Sequence, residues 1–491
     1  MTSTQQPTNL GQTILKNIAT LFAGRGLSTA LSAFAVILLA RYLGREQLGL
    51  YGAIYSYIGL YAWLATFGIE PILGREAAQH REQAGSILFT GSAVCFVFAS
   101  VTAVVALLLA PHFGYGGGMW VLVLFAAVDR MLVTPFALPG MIFQVDLRQW
   151  WAVSFGLIRQ VLWVLAIIFL AIGKASLFWV VVARMLCGIV EGALNFVGAW
   201  HRGLVPRPWK FLPQEARKFL VYSFPLALST LAINVYTRID QVMLHKLSTD
   251  LILGGYVAAV NLAEIFSLFP VSLMDAIFPV LARSARNEQD FERYLKFSYR
   301  ALMALVFAVC AVAVPLSRPL THLVFGAKYA ASAPLFAALI WSEVAIFFGV
   351  VLKMGLIARN LQRFLAVSTA VGAIVNIILN IFWIPRYGAL GATWATNISY
   401  AVASIFIYFA FRPTRHLAWL GLRISLPPLA LSLAVAGILA FSPLPLLLNL
   451  VLGIMLYGVG AWLTGVIRRD EIERLWRLIG SYLPSVRTDA I

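Results

Sequence analysis

The chain has 491 residues, of which 61% are hydrophobic and only 12% are charged. Soluble globular domains carry about 25% charged residues, so this composition excludes a soluble fold and predicts a protein whose surface faces lipid. The net charge is +17, but the Lys and Arg residues form short clusters between long apolar runs. That pattern is typical of membrane orientation and argues against nucleic acid binding.

Apolar runs follow one another from near the N-terminus, whose first stretch lacks Lys and Arg and therefore does not resemble a signal peptide. A spanning helix needs about 20 mostly apolar residues, and about fourteen runs meet that length. The connections are short, and none is long enough to hold a separate domain. The sequence therefore predicts an all-α integral membrane protein with about fourteen transmembrane helices, at 18–40, 49–69, 86–110, 118–140, 152–172, 176–199, 218–242, 253–280, 299–316, 333–357, 364–384, 389–411, 419–440 and 444–466.

The loops carry their positive charge unevenly. With a cytoplasmic N-terminus, about 24 Lys and Arg residues fall in cytoplasmic segments and about 7 in outer loops, which satisfies the positive-inside rule. Three basic clusters dominate the count, at 202–218, 283–300 and 468–477. We therefore predict a multi-pass protein of the bacterial inner membrane with both termini in the cytoplasm.

A weak internal repeat divides the chain. LGREQLGLYGA (Leu43 to Ala53) follows the first predicted helix, and LSTDLILGGYVAA (Leu247 to Ala259) follows the seventh. The spacing predicts two six-helix lobes related by a pseudo-two-fold axis along the membrane normal, plus two C-terminal helices. The predicted divisions are an N-terminal lobe at 1–200, a cytoplasmic linker at 201–217, a C-terminal lobe at 218–411, two added helices at 412–466 and a cytoplasmic tail at 467–491.

Several predicted helices contain ionisable residues, which are costly in a bilayer and usually face a bundle interior or a water-filled cavity. Some form polar stripes at helical spacing, such as Arg25, Thr29 and Ser32 in the first helix, and Asn261 and Glu264 in the eighth. The alternative is that such stripes only hold helices together. Arg184 and Glu191 could form a closed ion pair of that kind, and Arg130 could lie at a helix end and extend to the membrane surface.

Arginine binds phosphate in a bidentate manner, so we predict a cationic cavity that binds an anionic headgroup. Four carboxylates in the predicted helices are candidate proton or sodium sites, and Pro270 is expected to kink the eighth helix. The predicted substrate-binding residues are Arg25, Arg159, Arg184, Arg238 and Lys353, and the candidate ion-coupling residues are Asp240, Glu264, Asp275 and Glu343.

No catalytic arrangement is evident. The cysteines at 95, 187 and 310 lie in separate apolar runs, the histidines lack metal-ligand spacing, and the glycines at 116–118 do not follow a strand. We therefore predict no metal, no cofactor and no enzymatic activity.

Four segments resemble the oligosaccharide flippase family, the Wzx-like polysaccharide transporters of the MATE/MOP flippase superfamily. They are ARYLGREQLGLYG (Ala40 to Gly52), SFPLALSTLAINVYTRIDQVML (Ser223 to Leu244), GGYVAAVNLAEI (Gly254 to Ile265) and NIILNIFWIPRYGALGATWATNISY (Asn376 to Tyr400).

This resemblance implies two lobes around a central cavity and alternating access. It also implies a polyprenyl-diphosphate-linked oligosaccharide as cargo, for O-antigen, capsule or exopolysaccharide assembly, carried from the cytoplasmic to the outer leaflet. We expect a monomer, in contact with membrane lipid, that works with a polysaccharide polymerase and a chain-length regulator.

Other functions stay open on the sequence. Related drug exporters carry an acidic residue in the first helix, whereas residues 18–40 contain none, which argues against a cation-drug exporter. A peptidoglycan-precursor flippase or another exporter of the same fold remains an alternative. A membrane polysaccharide polymerase is disfavoured, because its sugar chemistry needs longer outer loops.

Overall fold

The computed structural model describes residues 10–146, 148–202 and 204–466, without the side chains of 10–23, 25, 225, 226 and 229. No β-strand occurs among these residues, and the predicted all-α class is confirmed. The predicted tail at 467–491 lies outside the described residues, and so does the side chain of Arg25.

The chain up to His201 forms eight α-helices, joined in places by short 3-10 or π-helical turns. The α-helices are α1 (Leu10–Thr66), α2 (Glu70–Gln79), α3 (Ala84–Leu109), α4 (Gly118–Ala127), α5 (Thr134–Ala137), α6 (Ile142–Val145), α7 (Trp150–Ile172) and α8 (Leu177–His201). The 3-10 turns are Arg81–Gln83, Ala110–Phe113 and Leu138–Met141, and the π-helical turn is Val128–Leu132.

The chain from Pro213 onward forms nine further α-helices. They are α9 (Pro213–Leu247), α10 (Asp250–Glu264), α11 (Leu268–Ser284), α12 (Glu288–Ala313), α13 (Ser317–Phe325), α14 (Ala333–Ala358), α15 (Arg363–Ser404), α16 (Arg412–Ala440) and α17 (Leu446–Leu463). The 3-10 turns here are Ile265–Ser267, Ala327–Ser332 and Phe406–Phe409. We call the membrane face that carries the connection between α8 and α9 the linker face, and the opposite one the far face.

Eleven helical stretches of the described chain are long and apolar enough to cross a membrane. Two of them contain a glycine with non-helical dihedrals, Gly44 (φ 74°, ψ 179°) in α1 and Gly388 (φ 55°, ψ −132°) in α15. A straight helix of 57 residues would be about 85 Å long against a hydrocarbon core of about 30 Å, so α1 must turn back at Gly44. Helix α9, with 35 residues, is also long enough to span a membrane. The predicted total of fourteen stays a prediction.

Two predicted spans are interrupted. The predicted helix at 253–280 changes to a 3-10 turn at Ile265–Ser267, just before Pro270, whose ring is incompatible with the preceding α-helical turn. The predicted helix at 118–140 changes to a π-helical turn at Val128–Leu132 and continues in short pieces that contain Pro135 and Pro139. The π-helical turn was not predicted from the sequence, and it carries two ionisable residues.

The apolar core shows where the two lobes meet. One cluster contains residues of both lobes, among them Tyr57, Tyr115, Tyr256 and Tyr329. A second cluster consists of residues from α11 onward, and a third consists mainly of residues from α2 to α8. The lobes therefore share one core near the far face, whereas the helices from α11 onward and the helices α2 to α8 also have cores of their own.

A reciprocal contact between the two repeats closes the far face. A Cβ atom on Gly49 would lie 2.0 Å from the carbonyl oxygen of Asp250, and a Cβ atom on Gly254 would lie 1.7 Å from the carbonyl oxygen of Arg45. The same spacing in the sequence relates Gly49 to Gly254 and Arg45 to Asp250. A contact in which each partner touches the equivalent part of the other is what a two-fold axis produces.

Two basic side chains reinforce this closure from opposite lobes. Arg41 donates from Nε to the carbonyl oxygen of Val324 at 2.9 Å, and Lys246 donates to the carbonyl oxygen of His112 at 2.9 Å. Arg41 and Lys246 are equivalent by the same spacing. We call these two bonds the far-face clasp.

Candidate functional site

Two of the predicted polar stripes face each other below the far-face contact. Thr29 and Ser32 of α1 and Asn261 and Glu264 of α10 line a common cavity of about 150 Å³. The stripes therefore point between the lobes and away from lipid. Arg25 precedes Thr29 by about one helical turn, but its side chain is not described.

Arg184 of α8 is held by its own lobe. Its guanidinium donates to the hydroxyl of Tyr51, lies 3.5 Å from a carboxylate oxygen of Asp129, and sits 4.3 Å from the ring centroid of Tyr55. Gly188 gives the carboxylate room, because a Cβ atom there would lie 2.6 Å from Asp129 Oδ1. A guanidinium with this many partners braces the lobe and has little capacity left for a ligand.

Arg159 of α7 forms an ion pair with Glu191 of α8 at 2.7 Å. The alternative pairing of Arg184 with Glu191 is therefore wrong. Those two residues lie about two turns apart on α8, so their side chains reach different neighbouring helices. Arg184 reaches the π-helical turn, and Glu191 reaches α7.

Two other arginines are left without a counter-ion. Arg130 is exposed in the π-helical turn, and Arg238 of α9 is half-buried. In the described chain neither guanidinium has an ion pair or a hydrogen bond. The charge of Arg130 is close enough to those of Arg184 and Arg238 to be repelled by each of them. The π-helical turn, inside the apolar stretch Gly118–Val145, places Arg130 in this cluster.

The side chain of Arg238 packs against Gly59 of the other lobe. A Cβ atom on Gly59 would lie 3.7–3.8 Å from Cγ, Cδ and Nε of Arg238, so the arginine stem lies directly against the other lobe. Arg130 and Arg238 thus bring a positive charge without an ion-pair partner from each lobe to the space between them. An anion between them would relieve the repulsion.

The predicted carboxylates have different surroundings. Glu264 is exposed at the 150 Å³ cavity and has no hydrogen bond or ion pair in the described chain. Glu343 of α14 is buried and accepts a hydrogen bond from Ser267 Oγ at 2.8 Å. Asp275 is exposed on α11, and Lys353 is exposed on α14. No ion pair joins Lys353 to the other predicted residues among those described.

Asp240 lies at the centre of a buried polar network in the C-terminal lobe. Its carboxylate accepts hydrogen bonds from the hydroxyl of Tyr256 and from the backbone amide of Gln241. Tyr256 also contacts Thr396 Oγ1 at 3.3 Å, and Gln241 accepts a hydrogen bond from Ser56 of the other lobe at 2.7 Å.

The sequence did not predict the part of this polar network that lies in α15. Asn376 donates to Ser399 Oγ at 3.1 Å, and Asn380 donates to Asn376 Oδ1 at 3.0 Å, all within α15. Two asparagines one turn apart in an apolar run were the available signal. Tyr51 and Tyr256 were also missed, although both stand in the repeated motif.

No group of three or more His, Cys, Asp or Glu residues that could hold a metal ion occurs in the described ranges. The three cysteines are buried and unpaired.

Comparison with known proteins adds to this geometry. The family model described as polysaccharide biosynthesis protein matches residues 14–285, and the model described as lipid II flippase MurJ matches residues 152–458. Agl15 of Haloferax volcanii, named a probable low-salt glycan biosynthesis flippase, is 22% identical over 481 residues, which cover 94% of this chain and 98% of that protein. YabM of Bacillus subtilis, an uncharacterized membrane protein, is 23% identical over 205 residues, or 39% of this chain and 38% of its own.

Solved structures show the same fold. Lipid II flippase MurJ in an inward closed conformation matches with a TM-score of 0.72 at 16% identity, covering 94% of this chain and 99% of that one. An inward-facing multidrug resistance MATE transporter of the MOP superfamily matches with a TM-score of 0.60 at 14% identity, covering 83% and 96%.

Proposed function

This chain belongs to the polysaccharide biosynthesis protein family and is a membrane flippase of the Wzx-like and MurJ-like type, and from that premise we propose that its cargo is an oligosaccharide linked to a polyprenyl diphosphate. The cargo would be a repeat unit of O-antigen, capsule or exopolysaccharide. It would move from the leaflet at the linker face to the leaflet at the far face.

The observation that carries this proposal is the pair of unpaired arginines between the lobes. A diphosphate has several acceptor oxygens and at least two negative charges, and guanidinium groups bind such oxygens in a planar, bidentate manner. Arg130 comes from one lobe and Arg238 from the other, so a diphosphate bound to both is held across the interface. Arg184 supplies further positive potential while it stays bound to Tyr51 and Asp129.

The packing of the lobes supports entry from the linker face. The shared core and the far-face contact close the opposite side, and the polar residues of α1 and α10 offer hydrogen bonds to a hydrated sugar. The basic linker between α8 and α9 indicates that the linker face is cytoplasmic, in line with the positive-inside rule. Because the chain belongs to a family of transporters, a transport function is favoured over an enzymatic one. Repacking of the reciprocal glycine contact would open the far face.

Asp240 is the carboxylate that we propose for coupling to an ion or proton. Among the described residues its hydrogen-bond donors are neutral, the Tyr256 hydroxyl and a backbone amide. A negative charge in such a buried place is costly when no ion pair neutralises it, which favours uptake of a cation or a proton.

A peptidoglycan precursor is the second candidate cargo. The match of the lipid II flippase model to residues 152–458 favours it, and such a precursor would present the same diphosphate to the same arginines. The two cargoes differ in their sugars, so a direct comparison of both lipids in one assay separates them.

The proposal is tested with purified protein in vesicles that contain a fluorescent polyprenyl-diphosphate oligosaccharide. Each lost charged hydrogen bond corresponds to about 1.5–3 kcal/mol, or about tenfold to a hundredfold in affinity. Arg130→Gln and Arg238→Gln are expected to lower transport by about tenfold or more each, with unchanged thermal unfolding. Arg286→Gln, which removes an exposed charge after α11, is the matched control and is expected to leave transport unchanged.

Arg184→Gln provides the contrast. Because Arg184 braces its lobe, its loss is expected to lower the unfolding temperature before it affects cargo affinity. Wild-type transport by the double variant Arg130→Gln, Arg238→Gln would overturn the proposed headgroup site. Transport of the peptidoglycan precursor but not of the oligosaccharide lipid would reassign the cargo.

A further inference from the structure

A second cavity lies in the N-terminal lobe, apart from the space between the lobes. It has a volume of about 310 Å³ and lies between α3, the broken helix after α4, and the last turns of α8. Its walls are apolar and largely aromatic. They include Leu88, Phe89, Phe96, Phe136, Phe196 and Trp200. We call it the lobe groove.

The linker forms the floor of the lobe groove, and hydrogen bonds fix it there. Ser86 Oγ donates to the carbonyl oxygen of Pro208 at 2.6 Å and accepts from the backbone amide of Lys210 at 3.1 Å. Gly85 lets the linker approach, because a Cβ atom there would lie 1.8 Å from the carbonyl oxygen of Pro206. The groove is thus a built feature of the lobe, with Trp209 held at its floor.

The rim of the lobe groove is basic. The guanidinium of Arg207 lies 6.0 Å from the ring centroid of Trp200, and both Arg207 and Lys210 are exposed. In the described part of the chain neither side chain has an ion pair. Indole rings next to Arg and Lys are typical of the boundary between hydrocarbon and headgroups. The rim therefore lies where a lipid phosphate would lie.

Two polar atoms at the groove lack partners. The indole Nε1–H of Trp209 and Ser92 Oγ are buried without a hydrogen bond among the described residues, and both residues line the groove. A buried donor without an acceptor is destabilising. A ligand that brings oxygen atoms next to its hydrocarbon chain would supply the acceptor.

We propose that the lobe groove binds an anionic glycerophospholipid of the linker-face leaflet, with an acyl chain between α3 and α8 and its phosphate on Arg207 and Lys210. Basic pockets between transmembrane helices on the cytoplasmic side bind anionic headgroups, and both the charge and the apolar walls of this groove match such a lipid. The assignment does not depend on the identity of the cargo. It makes the linker between the lobes a lipid-anchored element.

The experiment uses the full chain in vesicles doped with phosphatidylglycerol or phosphatidylcholine that carries the same photoreactive acyl chain. After irradiation, labelled peptides are identified by mass spectrometry. We expect phosphatidylglycerol to label residues 85–96 and 196–209 about tenfold more than phosphatidylcholine does. The double variant Arg207→Ser, Lys210→Ser is expected to bring both lipids to the lower level, whereas Arg286→Ser leaves the preference intact.

A variant that fills the lobe groove tests the role of its apolar walls separately from that of its basic rim. Ala93 lines the groove, so Ala93→Phe is expected to suppress labelling of both segments by either lipid. Equal labelling by the two lipids in the wild type would overturn the proposal, as would a preference unchanged by the double variant. Displacement of the label by a polyprenyl diphosphate, but not by unlabelled phosphatidylglycerol, would also overturn it and assign the groove to the cargo tail. Failure of the cargo assay alone would leave the lipid assignment standing.

Discussion

Tyr51 in the first repeat and Tyr256 in the second occupy equivalent positions, two residues after the glycines that meet at the far face. The hydroxyl of Tyr51 accepts a hydrogen bond from Arg184, whereas the hydroxyl of Tyr256 donates one to Asp240. A phenol can do either. The same residue at the same place therefore serves a cationic interior in one lobe and an anionic interior in the other.

The ionisable residues of the two repeats differ in the same way as the partners of the two tyrosines. Among nine ionisable groups of the membrane-spanning helices, three arginines and two carboxylates belong to the first repeat, and one arginine and three carboxylates belong to the second. These groups are Arg130, Arg159, Arg184, Asp129 and Glu191 in the first, and Arg238, Asp240, Glu264 and Glu343 in the second. The repeats share the way they pack and differ in the charge they enclose. In the proposed function the headgroup is held between Arg130 and Arg238 of the two lobes, whereas ion coupling is assigned to Asp240 of the second lobe.

The largest effect is expected where the two repeats are most alike. Gly254→Ala would place a Cβ atom 1.7 Å from the carbonyl oxygen of Arg45, so the far face could close only if the helices moved apart. Overpacking of this kind costs about 1–3 kcal/mol. We expect the closed far face to be disfavoured by about tenfold or more, with a matching loss of transport, measured by spin-label distances across the far face.

Gly49→Ala is expected to behave in the same way, because the contact is reciprocal. Gly437→Ala is the control, since no atom lies within 4 Å of its Cβ position. If Gly254→Ala matched Gly437→Ala in both distance and transport, the glycine contact would not be a gate.

A smaller and asymmetric effect is expected at the equivalent tyrosines. Tyr256→Phe leaves the buried Asp240 with a single hydrogen bond, whereas Tyr51→Phe leaves Arg184 paired with Asp129. Loss of a partner by a buried charged group costs about 1–3 kcal/mol or more. We expect Tyr256→Phe to lower the unfolding temperature more than Tyr51→Phe does.

The variants Tyr256→Phe and Tyr51→Phe also test the proposed ion coupling. Stimulation of vesicle transport by an imposed proton or sodium gradient is expected to fall in Tyr256→Phe and to persist in Tyr51→Phe. Equal stimulation in both variants would contradict a coupling role for Asp240.

The smallest effect is expected at the far-face clasp. Arg41→Ala and Lys246→Ala each remove hydrogen bonds to backbone carbonyls, at about 0.5–1.5 kcal/mol per bond, so the far face should open about twofold to tenfold more often. The readout is the rate at which a membrane-impermeant thiol reagent modifies Ser332→Cys, because Ser332 is fully buried in the closed state.

Lys328→Ala controls for loss of charge at the same face, since Lys328 is exposed. If Arg41→Ala and Lys246→Ala left the modification rate at the level of Lys328→Ala, the far-face clasp would have no role in gating.

The amino-acid sequence by itself determined the environment, the helical class and the two-part plan of this protein. Lipid thickness sets the length of an apolar run, and a polar residue in such a run must turn away from lipid, which predicts inward faces for Thr29, Ser32, Asn261 and Glu264. All four residues line the 150 Å³ cavity. The turns near Gly44 and Gly388 also followed from local sequence, because a helix that leaves the bilayer must reverse.

Only the tertiary structure decided which charges neutralise one another. An arginine side chain is long enough to reach several neighbouring helices, so spacing along α8 did not show that Arg184 pairs with Asp129 and that Glu191 pairs with Arg159. The π-helical turn depends on packing against α8 as well as on local sequence, and it brings Arg130 into the cluster. That Arg130 and Arg238 lack an ion-pair partner is therefore a result of packing, because the sequence does not show which side chains lie next to each arginine.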